Sequence, residues 1–286
     1  MNARAIFPLK RVTIVGALNL TPDSFSDGGR FVRTGSTVNI EAAVEAALSL
    51  VCDGAHVIDI GGESTRPGAV AVDVEVEIDR TAPVIEAIAK RVDAPISIDT
   101  RKAAVAEAAF DAGAQIVNDV SGLAFDPDLA GVVAAAQAVL ILGHARGTPE
   151  TMQREPFYHD AVAEVGAELA AAVSEARSAG VATDCIAVDP GIGFGKRVED
   201  NLRLISNIGA LARRLSCPVL VGPSRKAFLG AITGDPVERR DPATWAACAI
   251  AAFAGADAVR VHDAAGAAKA VAVGRAMRDA SQEAAA

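Results

Sequence analysis

The feature that most limits what this chain can fold into is a repeated alternation of two kinds of segment along its 286 residues. Short runs rich in Val, Ile and Leu alternate with longer stretches rich in Ala, Leu and Glu. The short runs predict strands at 12–18, 56–60, 95–99, 115–119, 138–143, 185–189, 218–222 and 257–261. Strands that are apolar along almost their whole length indicate a parallel sheet with both faces covered.

The longer stretches predict helices near 40–53, 75–92, 101–113, 127–136, 160–180, 199–215, 242–255 and 264–280. Eight strand–helix pairs favour an α/β fold, a (β/α)8 TIM barrel, over an open doubly wound sheet, since no GxGxxG opens the first unit. No linker-like stretch divides the chain, so we expect 1–286 to form a single domain. Three strand-to-helix segments are too long for simple turns, which predicts long βα loops 1, 2 and 5 at 19–38, 61–74 and 144–159.

Composition and charge exclude several classes of protein. The chain is 51% hydrophobic, which rules out a disordered or fibrous chain. Its net charge of −9 argues against nucleic acid as the main partner, but a small anionic substrate needs only a local basic cluster. The longest uncharged runs are shorter than the ~18–20 residues of a membrane span, and the first residues lack a signal-peptide stretch. We therefore expect a cytoplasmic protein with no membrane partner.

The four cysteines are far apart and form no CxxC pair. Each lies among apolar or small residues, which is typical of a reduced thiol in a protein core. We expect no disulfide framework and no thiolate metal site. The residues are Cys52, Cys185, Cys217 and Cys248.

Polar residues follow nearly every predicted strand, at the end where the active site of such a barrel is built. They are Asn19, Asp59, Asp99, Asn118, Asp119, His144, Asp189, Ser224, Arg225, Lys226, Arg260 and His262. One Asp at a strand end often does no more than cap the next helix. So many polar positions on one rim are hard to explain as caps, and they predict a functional site there.

The rim carries two kinds of group. Acceptors and amides suit a flat heterocycle with several hydrogen-bonding groups, and here they are Asp99, Asn118 and Asp189. Side chains that are or can become cationic suit a phosphate or pyrophosphate, and here they are Arg66, Lys226, Arg260 and His262. Asn19 offers a neutral oxygen to a hard cation such as Mg²⁺, which usually takes water and substrate phosphates as its other ligands.

Three segments rich in Gly, Ser, Thr and Pro lie on the same rim, at 19–29, 61–69 and 189–196. The first two are predicted to be lids, and the third carries Phe194, placed to stack on a ligand. The alternative is that all three are ordinary turns.

Long phrases in this order resemble the dihydropteroate synthases. They are LNLTPDSFSDGG (18–29), DIGGESTRPGA (59–69), SIDT (97–100), NDVSG (118–122), RGTPETMQ (146–153), VDPGIGFGK (188–196), SRKAFLG (224–230) and RVHD (260–263). The resemblance implies a pterin-binding TIM barrel, usually a homodimer. It also implies a transferase of folate biosynthesis that uses Mg²⁺ and is a sulfonamide target. Such an enzyme joins 6-hydroxymethyl-7,8-dihydropterin pyrophosphate to p-aminobenzoate and releases pyrophosphate.

The resemblance also implies roles for individual residues. The pterin pocket would consist of Asp99, Asn118, Asp189 and Lys226, and the diphosphate would meet Thr65, Arg260 and His262, with Asn19 as the Mg²⁺ ligand. The aminobenzoate side would consist of Arg66, Pro67, Phe194 and Lys226, closed over by the first two loops, the first of which carries Asp23, Ser24 and Phe25. The residues expected to act in catalysis are Asp99, Lys226, Arg260 and His262.

The sequence departs from the family pattern at two positions. Many relatives have Met before the His that ends strand five, where this chain has Gly143, which predicts a roomier pocket floor. Relatives commonly have Ser after the Lys of the SRK phrase, where this chain has Ala227, which predicts a lost hydrogen bond to the aminobenzoate carboxylate. Two other interpretations are therefore kept: a methyltetrahydrofolate-binding methyltransferase-like barrel, and a pterin-binding paralogue without activity.

The segment 245–253 is apolar nearly all round. A barrel helix has the sheet on one side only, so such a helix predicts a second covered face. A partner chain would provide that cover, in agreement with the homodimer that the resemblance implies; the alternative is an Ala-rich helix tolerated in water.

Overall fold

The structure is a computed structural model that describes residues 2–21, 38–66 and 68–284. Eight parallel strands form its sheet. They are β1 (Thr13–Asn19), β2 (Val57–Gly61), β3 (Ile96–Asp99), β4 (Ile116–Asp119), β5 (Val139–Leu142), β6 (Ile186–Val188), β7 (Leu220–Val221) and β8 (Ala258–Val261). Each lies within one residue of a segment predicted from the sequence.

The sheet closes into a barrel. Its strands lie in the order β6-β5-β4-β3-β2-β1-β8-β7. Between the two ends of that order, Val188 pairs with Val219 in parallel, and the Val188 amide donates to the Pro218 carbonyl at 2.9 Å. The predicted (β/α)8 barrel is confirmed.

Helices cover the outside of the barrel. They are α1 (Ala3–Ile6), α2 (Ile40–Cys52), α3 (Val74–Ala89), α4 (Ala103–Asp111), α5 (Leu129–Ala135), α6 (Ala161–Ser178), α7 (Val198–Ser206), α8 (Ile208–Leu215), α9 (Ala227–Thr233), α10 (Asp241–Ala254) and α11 (Ala264–Glu283). The helix predicted at 199–215 is in fact two, α7 and α8. Asn207 separates them, and its side-chain amide donates to the Arg203 carbonyl at 2.8 Å. Asn side chains compete for backbone groups in this way and so favour helix ends. The short helices α1 and α9 were not predicted.

The barrel interior is packed at the end opposite the strand C-termini. Helix α1 lies across that end, where Ile6 and the fully buried Phe7 join the side chains inside the barrel. Thr13 holds the helix by donating from Oγ1 to the Ile6 carbonyl at 2.9 Å. The space for a ligand therefore lies at the other end, where the βα loops are.

Loops 2 and 5 are long, as predicted. Loop 2 spans residues 62–73 between β2 and α3, and loop 5 spans 143–160 between β5 and α6. Loop 1 joins Asn19 to Ile40, but its residues 22–37 lie outside the described part of the chain. The predicted site residues Asp23, Ser24, Phe25 and Pro67 also lie outside it.

The cysteines are free thiols, but they are not all in the core. Cys217 and Cys248 are buried as expected, whereas Cys52 is exposed and Cys185 is half-buried. The prediction of four core thiols is therefore wrong for two of them: Cys52 ends α2 on its solvent side, and Cys185 lies just before the short strand β6. Within the described residues, no helix has the length and hydropathy needed to cross a bilayer.

Candidate active site

A cavity of about 570 Å³ opens at the C-terminal ends of the strands. This volume lies within the range of small-molecule sites. All the predicted site residues that the structure describes line this cavity: Asn19, Thr65, Arg66, Asp99, Asn118, Asp189, Phe194, Lys226, Arg260 and His262. The structure thus brings together residues from nearly every strand end.

Arg260 organises one wall of the cavity. Its Nε donates to Asp59 Oδ2 at 2.5 Å and its Nη2 donates to Asp99 Oδ2 at 2.8 Å. Asn118 Nδ2 donates to the same oxygen of Asp59 at 3.1 Å. Strand register explains the grouping, because Asp99 pairs with Gly61 on one side and with Asn118 on the other. Asp59 is the member that was not predicted as a binding residue, although it is one of the polar strand-end residues in the sequence.

The same wall presents an unpaired acceptor. Asp99 Oδ1 is buried and has no hydrogen-bond partner among the described residues. Asp59 Oδ1 is unpartnered there as well, but Asp59 does not line the cavity. Burial raises the pKa of Asp99 to about 7, although Arg260 acts in the opposite direction. Burial also raises the pKa of Asp189, whose Oδ1 accepts from the Gly191 amide at 2.7 Å. Because unpaired buried acceptors are costly, this wall is suited to a ligand that brings N–H donors.

Lys226 also lines the cavity. Its Nζ is 3.7 Å from the centroid of the Phe194 ring, within cation–π distance. Burial lowers the pKa of Lys226 to about 8, although Asp189 acts in the opposite direction. The predicted stacking residue and the predicted cation therefore lie in contact.

His262 joins the ends of β1 and β8. Its Nε2 lies 3.2 Å from Asn19 Nδ2, and its Nδ1 lies 2.8 Å from Ser224 Oγ. Burial, followed by the neighbouring Arg260, lowers the pKa of His262 to about 3. The imidazole is therefore neutral in the free protein. Unlike the other side chains predicted to be cationic, His262 contributes hydrogen bonds and no charge.

Few metal-binding groups surround Asn19 in the described part of the chain. In the described ranges, no three His, Cys, Asp or Glu side chains are grouped so as to hold a metal ion. A caged metal site is therefore not present there. One amide oxygen, from Asn19, fits a Mg²⁺ ion whose other ligands are phosphate oxygens and water.

Several lining residues were not predicted as site residues. Met152 and Gln153 come from loop 5, and Val237 and Arg240 precede α10. The first two lie in a phrase that carries the family resemblance, so a signal for them existed. Arg240 follows no strand and belongs to no such phrase, and no feature of the sequence points to it.

The two departures from the family pattern have different structural consequences. A Cβ at Gly143 would lie 2.6 Å from Val120 Cα and 2.8 Å from the Asp119 carbonyl oxygen, so Gly143 packs against the main chain of the neighbouring strand end. Gly143 itself lines the cavity, and the roomier floor stays a prediction. Ala227 does line the cavity, without a hydroxyl, as expected.

Comparisons with known proteins agree with this geometry. Residues 15–262 match the family model described as "Pterin binding enzyme", which is the class that the fold and cavity define. The dihydropteroate synthase of Synechocystis sp. is 47% identical over 255 residues, covering 89% of this chain and 86% of that protein. That of Mycobacterium leprae is 42% identical over 262 residues, covering 89% of each.

Solved structures agree as well. The Yersinia pestis dihydropteroate synthase with a sulfonamide drug complex has a TM-score of 0.88 at 38% identity, covering 95% of this chain and 96% of that one. The Xanthomonas albilineans dihydropteroate synthase in complex with 7,8-dihydropteroate has a TM-score of 0.81 at 38% identity, covering 94% and 95%. The chain therefore belongs to the dihydropteroate synthase family, as the sequence resemblance predicted.

Proposed function

We propose that this chain condenses 6-hydroxymethyl-7,8-dihydropterin pyrophosphate with p-aminobenzoate, giving 7,8-dihydropteroate and pyrophosphate. The observation that carries the proposal is the lining of one cavity, which combines the carboxylates of Asp99 and Asp189, the first with an unpaired oxygen, and Lys226 in contact with the Phe194 ring. The reaction needs both, because one substrate is a ring rich in N–H donors and the other is a small aromatic amine.

The pterin is assigned to the wall of Asp99, Asn118 and Asp189, with Lys226 at its edge. The unpaired Asp99 Oδ1 is available to accept from ring and amine N–H groups. The side chain of Asn118 is held by Asp59 through one amide hydrogen. Its oxygen and second hydrogen are then oriented for a ligand, which fixes the position of the ring before reaction.

The diphosphate is assigned to Thr65, Arg260 and His262, with Asn19. Arg260 supplies permanent charge. Neutral His262 contacts the Asn19 amide and the Ser224 hydroxyl through its two ring nitrogens, and so orients both groups beside the diphosphate. We propose that Mg²⁺ binds here together with the diphosphate, with Asn19 as a protein ligand. The ion would neutralise charge on the leaving group.

In the reaction, the bond between the pterin methylene carbon and the diphosphate oxygen breaks, and its electron pair leaves with the diphosphate. The positive charge left on the methylene is conjugated with the pterin ring, and the Asp99 carboxylate stabilises it electrostatically. The aminobenzoate nitrogen then bonds to the methylene carbon and passes one proton to the released diphosphate. That amine is neutral near pH 7, so the step needs no strong base.

The aminobenzoate is assigned to Arg66, Pro67, Phe194 and Lys226. We propose that loops 1 and 2 close over this side, the first through Asp23, Ser24 and Phe25, and exclude water that would otherwise trap the cation.

The residues that line the cavity also favour this function over the two other interpretations. A methyltransferase-like barrel has no need of the SRK phrase, yet Ser224, Arg225 and Lys226 all line the cavity. A paralogue without activity is suggested by Gly143 and Ala227, while the proposed catalytic residues are all present.

The test is to mix the purified protein with dihydropterin pyrophosphate, p-aminobenzoate and Mg²⁺, and to follow pyrophosphate and dihydropteroate together. We expect both products in equal amounts, suppressed by a sulfonamide and by chelation of Mg²⁺. Controls omit the aminobenzoate. Pterin binding without pyrophosphate release would favour the paralogue or the methyltransferase-like barrel and contradict the proposal.

We also propose that the enzyme is a homodimer, built on the faces of α10 and α11. The two helices meet where a Cβ on Gly274 would lie 2.1 Å from the Ala249 carbonyl oxygen. Large apolar side chains beside that crossing are about half exposed: Ile250, Phe253, Val273 and Met277. Sedimentation should give twice the mass of one chain, and Phe253→Glu should give a monomer. The single domain over 1–286 and the cytoplasmic location stay predictions.

A further inference from the structure

Lys196 is a buried cation that the proposed reaction does not use. Its side chain is almost fully buried, and Lys196 does not line the cavity. No carboxylate forms a salt bridge with it among the residues the structure describes. Burial lowers its pKa to about 7, which is the expected effect of removing an ammonium group from water. An apolar side chain of similar length would fill this space at a smaller desolvation cost.

The hydrogen bonds of Lys196 connect two loops. Its Nζ lies 3.0 Å from the Phe194 carbonyl oxygen, 3.2 Å from the His144 carbonyl oxygen and 3.0 Å from His144 Nδ1. An ammonium group has three hydrogens, so each of them has an acceptor. One acceptor lies in the loop after β6 and two lie at the end of β5.

His144 is held in the form that accepts this bond. Burial lowers its pKa to about 4, so the ring is neutral. Its Nε2 lies 2.9 Å from Glu168 Oε2, an acceptor, which places the ring proton on Nε2 and leaves Nδ1 free to accept from Lys196. Arg146 in turn pairs with Glu168, so the chain of contacts extends to helix α6.

The two loops also lie in direct contact. Gly191 has φ +67°, and a Cβ there would lie 1.8 Å from the His144 carbonyl oxygen. Gly195 has φ +59°, and a Cβ there would lie 2.6 Å from the Arg146 carbonyl oxygen. Glycine is needed at both positions. The main chain of the loop after β6 therefore cannot move without displacing the main chain at the end of β5.

Asp189 and Phe194 depend on this loop to different degrees. Asp189 continues the pairing of β6, with its amide donating to the Leu142 carbonyl at 2.8 Å. Phe194 lies beyond the strand, where its amide donates to the Gly191 carbonyl at 3.1 Å and its carbonyl accepts from Lys196. The ring of Phe194 is therefore the part of the site that Lys196 controls.

We propose that Lys196 is a positioning residue, whose hydrogen bonds to the end of β5 fix the Phe194 ring against Lys226 and thereby set the affinity for the aromatic amine substrate. The proposal rests on the proposed function for the identity of that substrate. The contacts themselves do not depend on it.

The test uses Lys196→Met, which removes the donors, and Lys196→Gln, which keeps two without the charge. The matched control is Lys90→Met, an exposed lysine that pairs with Glu86. For each variant we would measure the KM for aminobenzoate, the Kd of the pterin substrate, and hydrogen exchange of the amides of 191–195.

We expect Lys196→Met to raise the KM for aminobenzoate about tenfold, with the Kd of the pterin substrate unchanged within about twofold. Exchange of the loop amides should be faster, Lys196→Gln should recover part of both effects, and Lys90→Met should change neither. An equal rise in the KM and the Kd, or an unchanged KM, would overturn the positioning role. Unchanged amide exchange in Lys196→Met would show that the Lys196 hydrogen bonds do not hold the loop after β6 in place. A wild-type protein that makes no dihydropteroate would contradict the proposed function. Amide exchange would then still show whether Lys196 holds the loop after β6 in place.

Discussion

The two sides of the cavity are built from different kinds of structure. On the side proposed to bind the pterin, Asp59, Asp99 and Asn118 lie within strands, and Arg260 from β8 bonds to two of them. On the side proposed to bind the aminobenzoate, Arg66 and Phe194 lie in loops and Ala227 is the first residue of a short helix. Strand positions are fixed by the ladder of the barrel, whereas loop positions depend on a few side-chain contacts. Changes on the strand side should therefore affect chemistry, and changes on the loop side should affect one substrate.

Loop 2 is an exception among the loops of the cavity, because a buried network of charged side chains holds it in place. Lys102 Nζ donates to Glu63 Oε2 at 2.8 Å, to Glu77 Oε2 at 2.6 Å and to the Val72 carbonyl at 2.5 Å. Removing Lys102 leaves the Glu77 carboxylate buried without its ion-pair partner, whereas Glu63 keeps Arg101 at 2.8 Å. We expect Lys102→Met to lower the free energy of unfolding by about 3–5 kcal/mol in urea titrations.

The control for this prediction is Lys269→Met, a change of the same kind at an exposed position on α11. We expect it to alter the free energy of unfolding by less than about 0.5 kcal/mol. If Lys102→Met lowered the free energy of unfolding no more than the control does, the ion network would not stabilise loop 2. Loop 2 would then depend on a few weak contacts, as the rest of the loop side does.

Asp99 tests the strand side directly. Asp99→Asn keeps the shape and removes the charge proposed to stabilise the methylene cation. We expect turnover to fall about 10²–10³-fold, with circular dichroism and thermal unfolding close to wild type. Asp111→Asn, at an exposed position at the end of α4, is the matched control. Near-normal turnover in Asp99→Asn would refute the electrostatic role.

The pH dependence tests both sides at once. The pKa of Asp99 is raised to about 7, so its carboxylate is lost as pH falls below that value. The pKa of Lys226 is lowered to about 8, so its ammonium group is lost as pH rises above that value. We expect kcat/KM for the pterin substrate to be highest between these values and to fall about tenfold per pH unit on each side.

Asp99→Asn provides the control, since it should abolish the acidic limb and leave the basic one. A profile that is flat from about pH 6 to about pH 9 would mean that neither group has to be ionised in a particular way. A basic limb that persists after Lys226→Met would assign that limb to another group.

The strand side was also the part that the sequence could predict. Alternating segments located the eight strands with ends within two residues of those observed. Polar residues at strand ends identified Asp99, Asn118 and Arg260, because parallel strands bring their C-terminal ends to one rim. The pairing of Asp59 with Arg260 could not be predicted from the sequence in the same way. Its oxygen meets Arg260, which lies 201 residues away in the sequence, and a pairing of that kind depends on closure of the barrel.

The loop side was less predictable for a physical reason. Arg240 reaches the cavity because its guanidinium lies flat against Gly230, where a Cβ would come within 2.4 Å of Nη2. Such packing depends on the path of two loops and leaves no periodic signal. The close approach of Gly143 to the main chain of Val120 also leaves no signal in the sequence, since it depends on the local path of the chain.

The smallest expected effect is at Ala227, on the loop side. Ala227→Ser would add a hydroxyl that faces the cavity, where it could bond to the aminobenzoate carboxylate. A hydrogen bond to a charged group contributes about 1.5 kcal/mol, so we expect the KM for aminobenzoate to fall up to about tenfold, with the KM for the pterin substrate unchanged. Ala171→Ser, at an exposed position on α6, should change neither value.

Arg240 offers that carboxylate a different partner. No carboxylate pairs with Arg240 in the described part of the chain, where its bonds go to the carbonyls of Asp235 and Arg225. If its guanidinium already binds the carboxylate, Ala227→Ser should have little effect, and Arg240→Ala should raise the KM for aminobenzoate several-fold. The exposed neighbour Arg239→Ala is the matched control. A fall in KM for Ala227→Ser combined with no change for Arg240→Ala would place the carboxylate at the start of α9, and the opposite pair of results would place it on the arginine.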